Sequence, residues 1–95
     1  MAGRYKESVV IDGLTVRYDP ERMSDWTTFN ILRGLDGATQ YRQVDALFQI
    51  IEHVTDQSEG TIVKHCGGGT AQAEDVINLC SRIISELTPK NSASS

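Results

Sequence analysis

The chain has 95 residues, 39% of them apolar, and a formal net charge of −4 at pH 7. This length is that of one domain with a small core. The negative charge disfavours nonspecific nucleic-acid binding, which needs a basic surface. No apolar run approaches the roughly 20 residues that span a bilayer, and no signal peptide is recognisable. The sequence therefore predicts a cytoplasmic protein with neither a nucleic-acid nor a membrane partner.

Two short β-rich runs come first along the chain. Strands are predicted over residues 8–11 and 14–18, joined by Asp12–Gly13, the dipeptide most typical of a two-residue hairpin turn. Apolar residues alternate along both runs, so one face of the hairpin can be buried. Asp19–Pro20 ends the second strand. Because an isolated hairpin is marginal in water, this one must pack on a helix or pair with another chain.

Helical patterns fill the rest of the chain. Apolar residues spaced at i, i+3, i+4 and i+7 predict helices over residues 24–35, 40–55 and 70–87. Residues 61–66 fit either a strand or a short helix, and a short helix is favoured. The three glycines at 67–69 predict a flexible hinge, because glycine loses the most backbone entropy on ordering. The predicted helix caps are Ser24, Gly37 and Thr70.

These elements define the fold class and the domain organisation. The prediction is a mainly α protein in which an N-terminal β-hairpin is followed by a bundle of three to four helices. A single domain is expected over residues 9–87, between a disordered N-terminus (1–8) and a disordered, Ser-rich tail (88–95).

The residues capable of metal or nucleophilic chemistry are few. His53, His65, Cys66 and Cys80 are the soft ligands, but their spacing matches no compact zinc site. Cys80 also falls on the apolar stripe of the last helix, and both cysteines are expected to be free thiols in a reducing cytoplasm. A Cys66 nucleophile would need His53 or His65 and an orienting acid, which nothing in the sequence fixes. We therefore predict no catalytic residue, metal or cofactor.

The glycine-rich segment 67–70 invites comparison with a phosphate-binding loop, since free backbone N–H groups before a helix can hold an anion. The Walker pattern requires Lys and then Ser or Thr after its last glycine. Here Lys64 comes before the glycines instead. A loop that ends in a helix cap is the favoured interpretation.

The aromatic residues offer two interpretations. Trp26, Phe29 and Phe48 either form an exposed docking patch or build the core of a chain with few aromatic residues. The core interpretation is favoured for at least two of these three. The candidate partner-binding residues are Asp25, Trp26, Phe29, Tyr41 and Phe48.

The chain resembles the tail assembly chaperones of long-tailed bacteriophages. The matching features are Ile11–Val16, Tyr18–Pro20 and Ser24–Trp26, where a helix opens, followed by two later amphipathic helices. The order of the elements over about residues 9–87 carries the resemblance, and no single residue is diagnostic. The linker at 37–39 is less acidic than is usual in the family, and the triple glycine is also a departure.

The resemblance implies a nonenzymatic protein of the host cytoplasm. Such chaperones bind the tape measure protein, keep that long helical polypeptide soluble and help tail tube subunits polymerise around it. Many have a longer form, produced by a ribosomal frameshift, that recruits the tail tube protein. Residues 89–91 can be encoded with a slippery heptamer, so a long form is a hypothesis that the gene sequence would test.

Other interpretations remain open. The chain could be a small prophage or bacterial adaptor or regulator of the same fold that binds another protein. An enzyme or metal domain using His53, His65 and Cys66 is a third interpretation. The hairpin edge could also pair between copies of the chain, giving oligomers that coat a client. Truncation of residues 1–19 is then predicted to abolish self-association.

Overall fold

The computed structural model describes residues 5–88. Over that range an antiparallel β-hairpin is followed by four α-helices, which confirms the predicted fold class. The elements are β1 (Glu7–Ile11), β2 (Leu14–Tyr18), a first 3-10 turn (Pro20–Ser24), α1 (Trp26–Arg33), α2 (Gln40–Val54), α3 (Glu59–His65), a second 3-10 turn (Gly68–Thr70) and α4 (Ala73–Leu87).

The predicted disordered ends lie largely outside the described residues, which exclude 1–4 and 89–95. Glu7, expected to precede the domain, belongs to β1 instead, and Ser8 lies in β1 as the strand predicted from residue 8 requires. The codons discussed for a frameshift also encode residues outside the described range.

The hairpin forms as the Asp-Gly dipeptide predicts. Ile11 pairs with Leu14 across the turn. Asp12 (φ 52°) and Gly13 (φ 81°) both have the left-handed backbone that a type I′ turn requires. One face carries Ile11 and Val16, which are 2% and 0% exposed, whereas Val10 on the other face is 65% exposed. The predicted alternation is thus confirmed, and the hairpin covers one side of the helical core.

The outer edge of β2 is bound to the segment that follows α2. Tyr18 forms a β-bridge with Thr55, and the backbone N–H of Asp19 donates to the Val54 carbonyl at 3.0 Å. Arg17 and Asp56 exchange two bonds: the Arg17 N–H donates to the Asp56 carboxylate, and the Asp56 N–H donates to the Arg17 carbonyl. The hairpin is therefore anchored to the helices along β2. No described strand pairs with the outer edge of β1.

The core lies between α2, α4 and the buried face of the hairpin, with α3 closing one side. Helix α2 packs along α4, and α1 packs against α2. The buried cluster consists of Ile11, Val16, Phe48, Ile50, Ile51, Val54, Ile62, Val76, Leu79, Cys80, Ile83 and Leu87. It is made almost entirely of aliphatic side chains, because only one of its members is aromatic.

Two of the predicted helices agree well with the structure. Helix α2 begins at Gln40 as predicted and ends one residue early. The ambiguous segment 61–66 lies mostly in α3, so the preference for a helix is confirmed. Ser58 and Thr61 form a reciprocal capping box at the start of α3, with each side chain bonded to the other residue's backbone N–H.

Three predicted caps are wrong. Ser24 ends the first 3-10 turn, and Asp25 is the N-cap of α1 instead. Helix α1 ends at Arg33 and its C-cap is Gly34 rather than Gly37; the Gly34 N–H donates to the Ile31 carbonyl in a 3-10-type bond that tightens the last turn. Helix α4 begins at Ala73, three residues after the predicted start at Thr70.

The predicted glycine hinge is a hydrogen-bonded turn. Gly67 (φ 124°) and Gly68 (φ 64°) use the left-handed backbone that glycine permits. The Thr70 hydroxyl and N–H both donate to the Gly67 carbonyl, at 3.0 and 3.3 Å, and the Ala71 N–H donates to the Gly68 carbonyl. The segment is therefore a compact connection from α3 to α4.

We expect Gly13→Ala to destabilise the protein by about 1 kcal/mol, because alanine must adopt a left-handed backbone in the hairpin turn. No atom within 4 Å would obstruct the new Cβ, so the cost comes from the backbone alone. Gly69→Ala is the matched control: its Cβ also meets open space, but its φ lies outside the left-handed region. Urea unfolding of both variants measures the difference, and equal stabilities would contradict the prediction.

Candidate protein-binding surfaces

Helix α1 presents its largest side chains to solvent. Trp26, Phe29 and Leu32 are 65%, 52% and 48% exposed, and their spacing of three residues places them along one face of the helix. The opposite face holds α1 to the body through Thr28, which is fully buried. The Thr28 hydroxyl donates to the Arg22 carbonyl at 2.6 Å, so this buried polar group is satisfied.

The expectation that at least two of the three aromatic candidates build the core is therefore wrong. Only Phe48 is buried, at 8% exposure, while Trp26 and Phe29 point outward. The spacing of an apolar stripe identifies one face of a helix but does not say which face packs inward. Here the tertiary bonds of Asp25 and Thr28 orient α1, and they place a threonine on the inner side.

The exposed side chains of α1 contact one another. The rings of Trp26 and Phe29 lie 5.4 Å apart between centroids and are tilted by 37°. The Arg33 guanidinium lies 5.2 Å from the centroid of the Trp26 ring, within the range of a cation–π contact. We call Trp26, Phe29, Leu32 and Arg33 the α1 aromatic face. Trp and Arg are enriched among the residues that dominate binding energy at protein interfaces, so this face has the composition of a docking surface.

Asp25 connects the α1 aromatic face to the body of the protein. One carboxylate oxygen accepts the Thr28 N–H at 2.9 Å, which caps α1, and the other lies 2.7 Å from Nε2 of His53 on α2. The Thr28 hydrogen bond lowers the pKa of Asp25 below its ordinary 3.8, against a smaller rise from burial, and His53 lowers it further. Arg22 adds a second tie by donating to the His53 carbonyl at 2.9 Å.

A second apolar surface lies between α2, α3 and α4. Tyr41 and Phe48 of α2 line a groove of about 420 Å³ together with Val63 of α3 and Val76 of α4. Phe48 forms part of its floor, whereas Tyr41 is 85% exposed. We call this cleft the α2–α4 groove. It arises from the packing of three helices that are separated in the sequence.

The five predicted site residues thus divide between two surfaces. Asp25, Trp26 and Phe29 belong to α1, whereas Tyr41 and Phe48 line the α2–α4 groove. Asp25 has a structural role beneath the aromatic face. Sequence reasoning missed Arg33, although its position seven residues after Trp26 puts it on the same side of the helix. It also missed Val63, for which the sequence holds no signal.

The residues considered for catalysis or metal binding have other partners. His53 faces Asp25, and Nε2 of His65 lies 2.8 Å from the Asp12 carbonyl oxygen. Burial raises the pKa of the Cys66 thiol and raises that of Cys80 to about 11, so both favour the protonated form at neutral pH. Within residues 5–88, no three His, Cys, Asp or Glu side chains are grouped so that they could hold a metal ion.

The glycine segment uses several of its N–H groups internally. The backbone N–H groups of Gly67, Thr70 and Ala71 donate to carbonyls of α3 and of the turn itself. These three N–H groups are therefore already bonded within the chain and do not face outward to hold an anion. This arrangement favours the interpretation of residues 67–70 as a structural connection.

Comparison of the chain with models of protein families, with curated proteins and with solved structures yields no match. Among the helices of residues 5–88, none is long and apolar enough to traverse a bilayer.

We expect Asp25→Ala to cost about 1 kcal/mol of stability, the usual cost of losing an N-cap. Asp25→Asn keeps an oxygen for the Thr28 N–H but loses the charge beside His53. Because folding lowers the pKa of Asp25, its charge stabilises the native state above the ordinary pKa of 3.8, and that stability disappears as the pH falls through the folded value. The difference in stability between wild type and Asp25→Asn should therefore shrink as the pH falls below 3.8.

Thermal unfolding followed by circular dichroism between pH 3 and 7 measures both effects. Asp36→Asn, at an exposed carboxylate, is the control for a change in net charge. A constant difference between wild type and Asp25→Asn across this range would contradict the assignment.

Proposed function

We propose that this protein is a nonenzymatic tail assembly chaperone of a long-tailed bacteriophage or prophage. In this proposal it binds the tape measure protein in the cytoplasm of the host bacterium and assists assembly of the tail tube. The observation that carries the proposal is the α1 aromatic face, where Trp26, Phe29 and Leu32 remain exposed on a folded domain. An exposed, contiguous apolar face of this kind is typical of a protein-binding surface.

Two further features support a chaperone for a helical client. The hairpin followed by helices is the order of elements that the resemblance to tail assembly chaperones implies. Trp26 and Phe29 also offer large apolar area with few rotatable bonds, and Arg33 beside them adds a cation. Such a face can cover the apolar stripe of an amphipathic helix, which would otherwise aggregate.

The proposal extends to the partners of the longer form. If a frameshifted product exists, its added domain would recruit the tail tube protein while the present domain holds the tape measure protein. An adaptor or regulator of the same fold is the alternative. It differs in lacking a tape measure protein as its client.

We expect Trp26→Ser/Phe29→Ser to abolish capture of the tape measure protein without unfolding the domain, because both side chains lie largely outside the core. The measurement is co-expression with the protein encoded directly downstream, followed by pull-down and size-exclusion chromatography with light scattering. Thr27→Ala, at an exposed neighbour on α1, is the matched control and should bind as wild type does. If wild type captures no partner, the adaptor alternative is favoured; if the double variant still binds, the aromatic face is not the site.

We also propose that the outer edge of β1 pairs between copies. The Thr15 carbonyl accepts from the Gln57 side chain, and the Arg17 N–H and carbonyl both bond Asp56. These backbone groups of β2 therefore point away from β1. In an antiparallel pair, the residues opposite them then point their own backbone groups outward. Ser8 and Val10 are those residues, and β1 is thus an open edge. Open edges of this kind readily pair with another strand.

Val10→Pro tests self-association more cleanly than the truncation of residues 1–19. That truncation also removes Ile11 and Val16 from the core, so it would unfold the domain. Proline at position 10 removes an N–H that faces away from β2, and the hairpin therefore keeps its ladder. We expect light scattering to show dissociation of oligomers in Val10→Pro but not in Val10→Thr, which retains the N–H. Equal masses for the two variants would contradict edge pairing.

A further inference from the structure

The α2–α4 groove is distinct from the α1 aromatic face and has its own chemistry. Its apolar lining includes Val44 and Val63, which are partly buried, and Phe48 and Val76, which are each only 8% exposed. A second cavity of about 430 Å³ lies alongside it and shares Val44 in its lining. The two cavities also share Ile77 of α4, so together they extend along both α2 and α4.

The charges around this groove have one sign. Asp45 of α2 and Glu59 of α3 both line it and are exposed, whereas no Lys or Arg lines either cavity. Carboxylates at the rim of an apolar groove attract a partner whose own apolar surface is bordered by cations. The net charge of −4 adds to that attraction at long range.

The walls of the groove favour a helical occupant. They are formed by the helices α2, α3 and α4, whose backbone groups are already bonded within each helix. An extended peptide would find no strand edge there to satisfy its own backbone groups. A helix satisfies them internally and needs only an apolar stripe to fill the cleft.

We propose that the α2–α4 groove binds an amphipathic helix of another protein, one whose apolar stripe is flanked by Lys or Arg. Tyr41 stands at the rim with 85% of its surface exposed and would close over the bound helix. The inference is independent of the identity of the client. If the proposed function holds, the groove gives the tape measure helix a second contact beside the α1 aromatic face.

The direct test uses two fluorescein-labelled helical peptides with the same leucine stripe at i, i+3, i+4 and i+7. One peptide carries Lys on both flanks of the stripe and the other carries Glu. Fluorescence anisotropy at low salt measures binding to the full chain. We expect the Lys peptide to bind about tenfold more tightly, and added salt to reduce the difference. Equal affinities would overturn the proposal.

Two pairs of variants locate the binding site. Ala73→Trp adds bulk at a residue that lines the groove, and Ser85→Trp adds it to an exposed position elsewhere on α4. Only the former should weaken binding of the Lys peptide. Asp45→Asn/Glu59→Gln should likewise reduce its affinity severalfold. The control Asp36→Asn/Glu86→Gln makes the same change in net charge at two exposed residues outside the groove, and it should reduce the affinity for the Lys peptide less.

Circular dichroism first establishes that every variant keeps its fold. Trp26→Ser/Phe29→Ser should bind the Lys peptide as wild type does, and loss of binding there would move the site to α1 and overturn the proposal. If the groove variants bind the peptide normally, the groove is not its site. Retained capture of the tape measure protein in that case would leave the proposed function standing.

Discussion

The rest of the structure depends on the hydrogen bonds that join β2 to the connection between α2 and α3. A two-stranded hairpin has too little burial to be stable alone. Here the Tyr18–Thr55 bridge and the reciprocal bonds of Arg17 and Asp56 extend the sheet onto the helical layer. They hold Ile11 and Val16 against the core. They also leave β1 as the edge strand, so the same contact determines which side of the hairpin is open.

The hairpin and the long helices follow from local sequence patterns. Asp12–Gly13 specifies its turn because few other dipeptides adopt two left-handed residues, and the stripe of α4 has enough turns to define a buried face. The β-bridge between Thr55 and Tyr18 could not be predicted, because the two residues are far apart in the sequence and no repeating pattern of apolar residues connects them. The helix caps were predicted poorly, since several Ser, Thr and Asp residues compete at each end and tertiary contacts choose among them.

The orientation of α1 is the clearest difference between sequence and structure. Its apolar residues suggest an inward face, but Asp25 ties the start of the helix to His53 and Thr28 bonds the Arg22 carbonyl. These polar contacts turn the aromatic residues outward. Residue type alone was enough to pick Trp26 and Phe29 as binding candidates. Their exposure to solvent depends on hydrogen bonds between separate elements, which the sequence does not reveal. The groove beside α4 could not be predicted at all, because three separate helices create it.

The position of the single tryptophan has a practical consequence for spectroscopy. Trp26 lies mostly in water, so its fluorescence already has the character of a solvated indole in the folded state. Unfolding would change that emission little, whereas a partner that covers α1 would shift it to shorter wavelength and shield it from soluble quenchers. In this protein, intrinsic tryptophan fluorescence therefore reports the binding of a partner at α1 rather than folding.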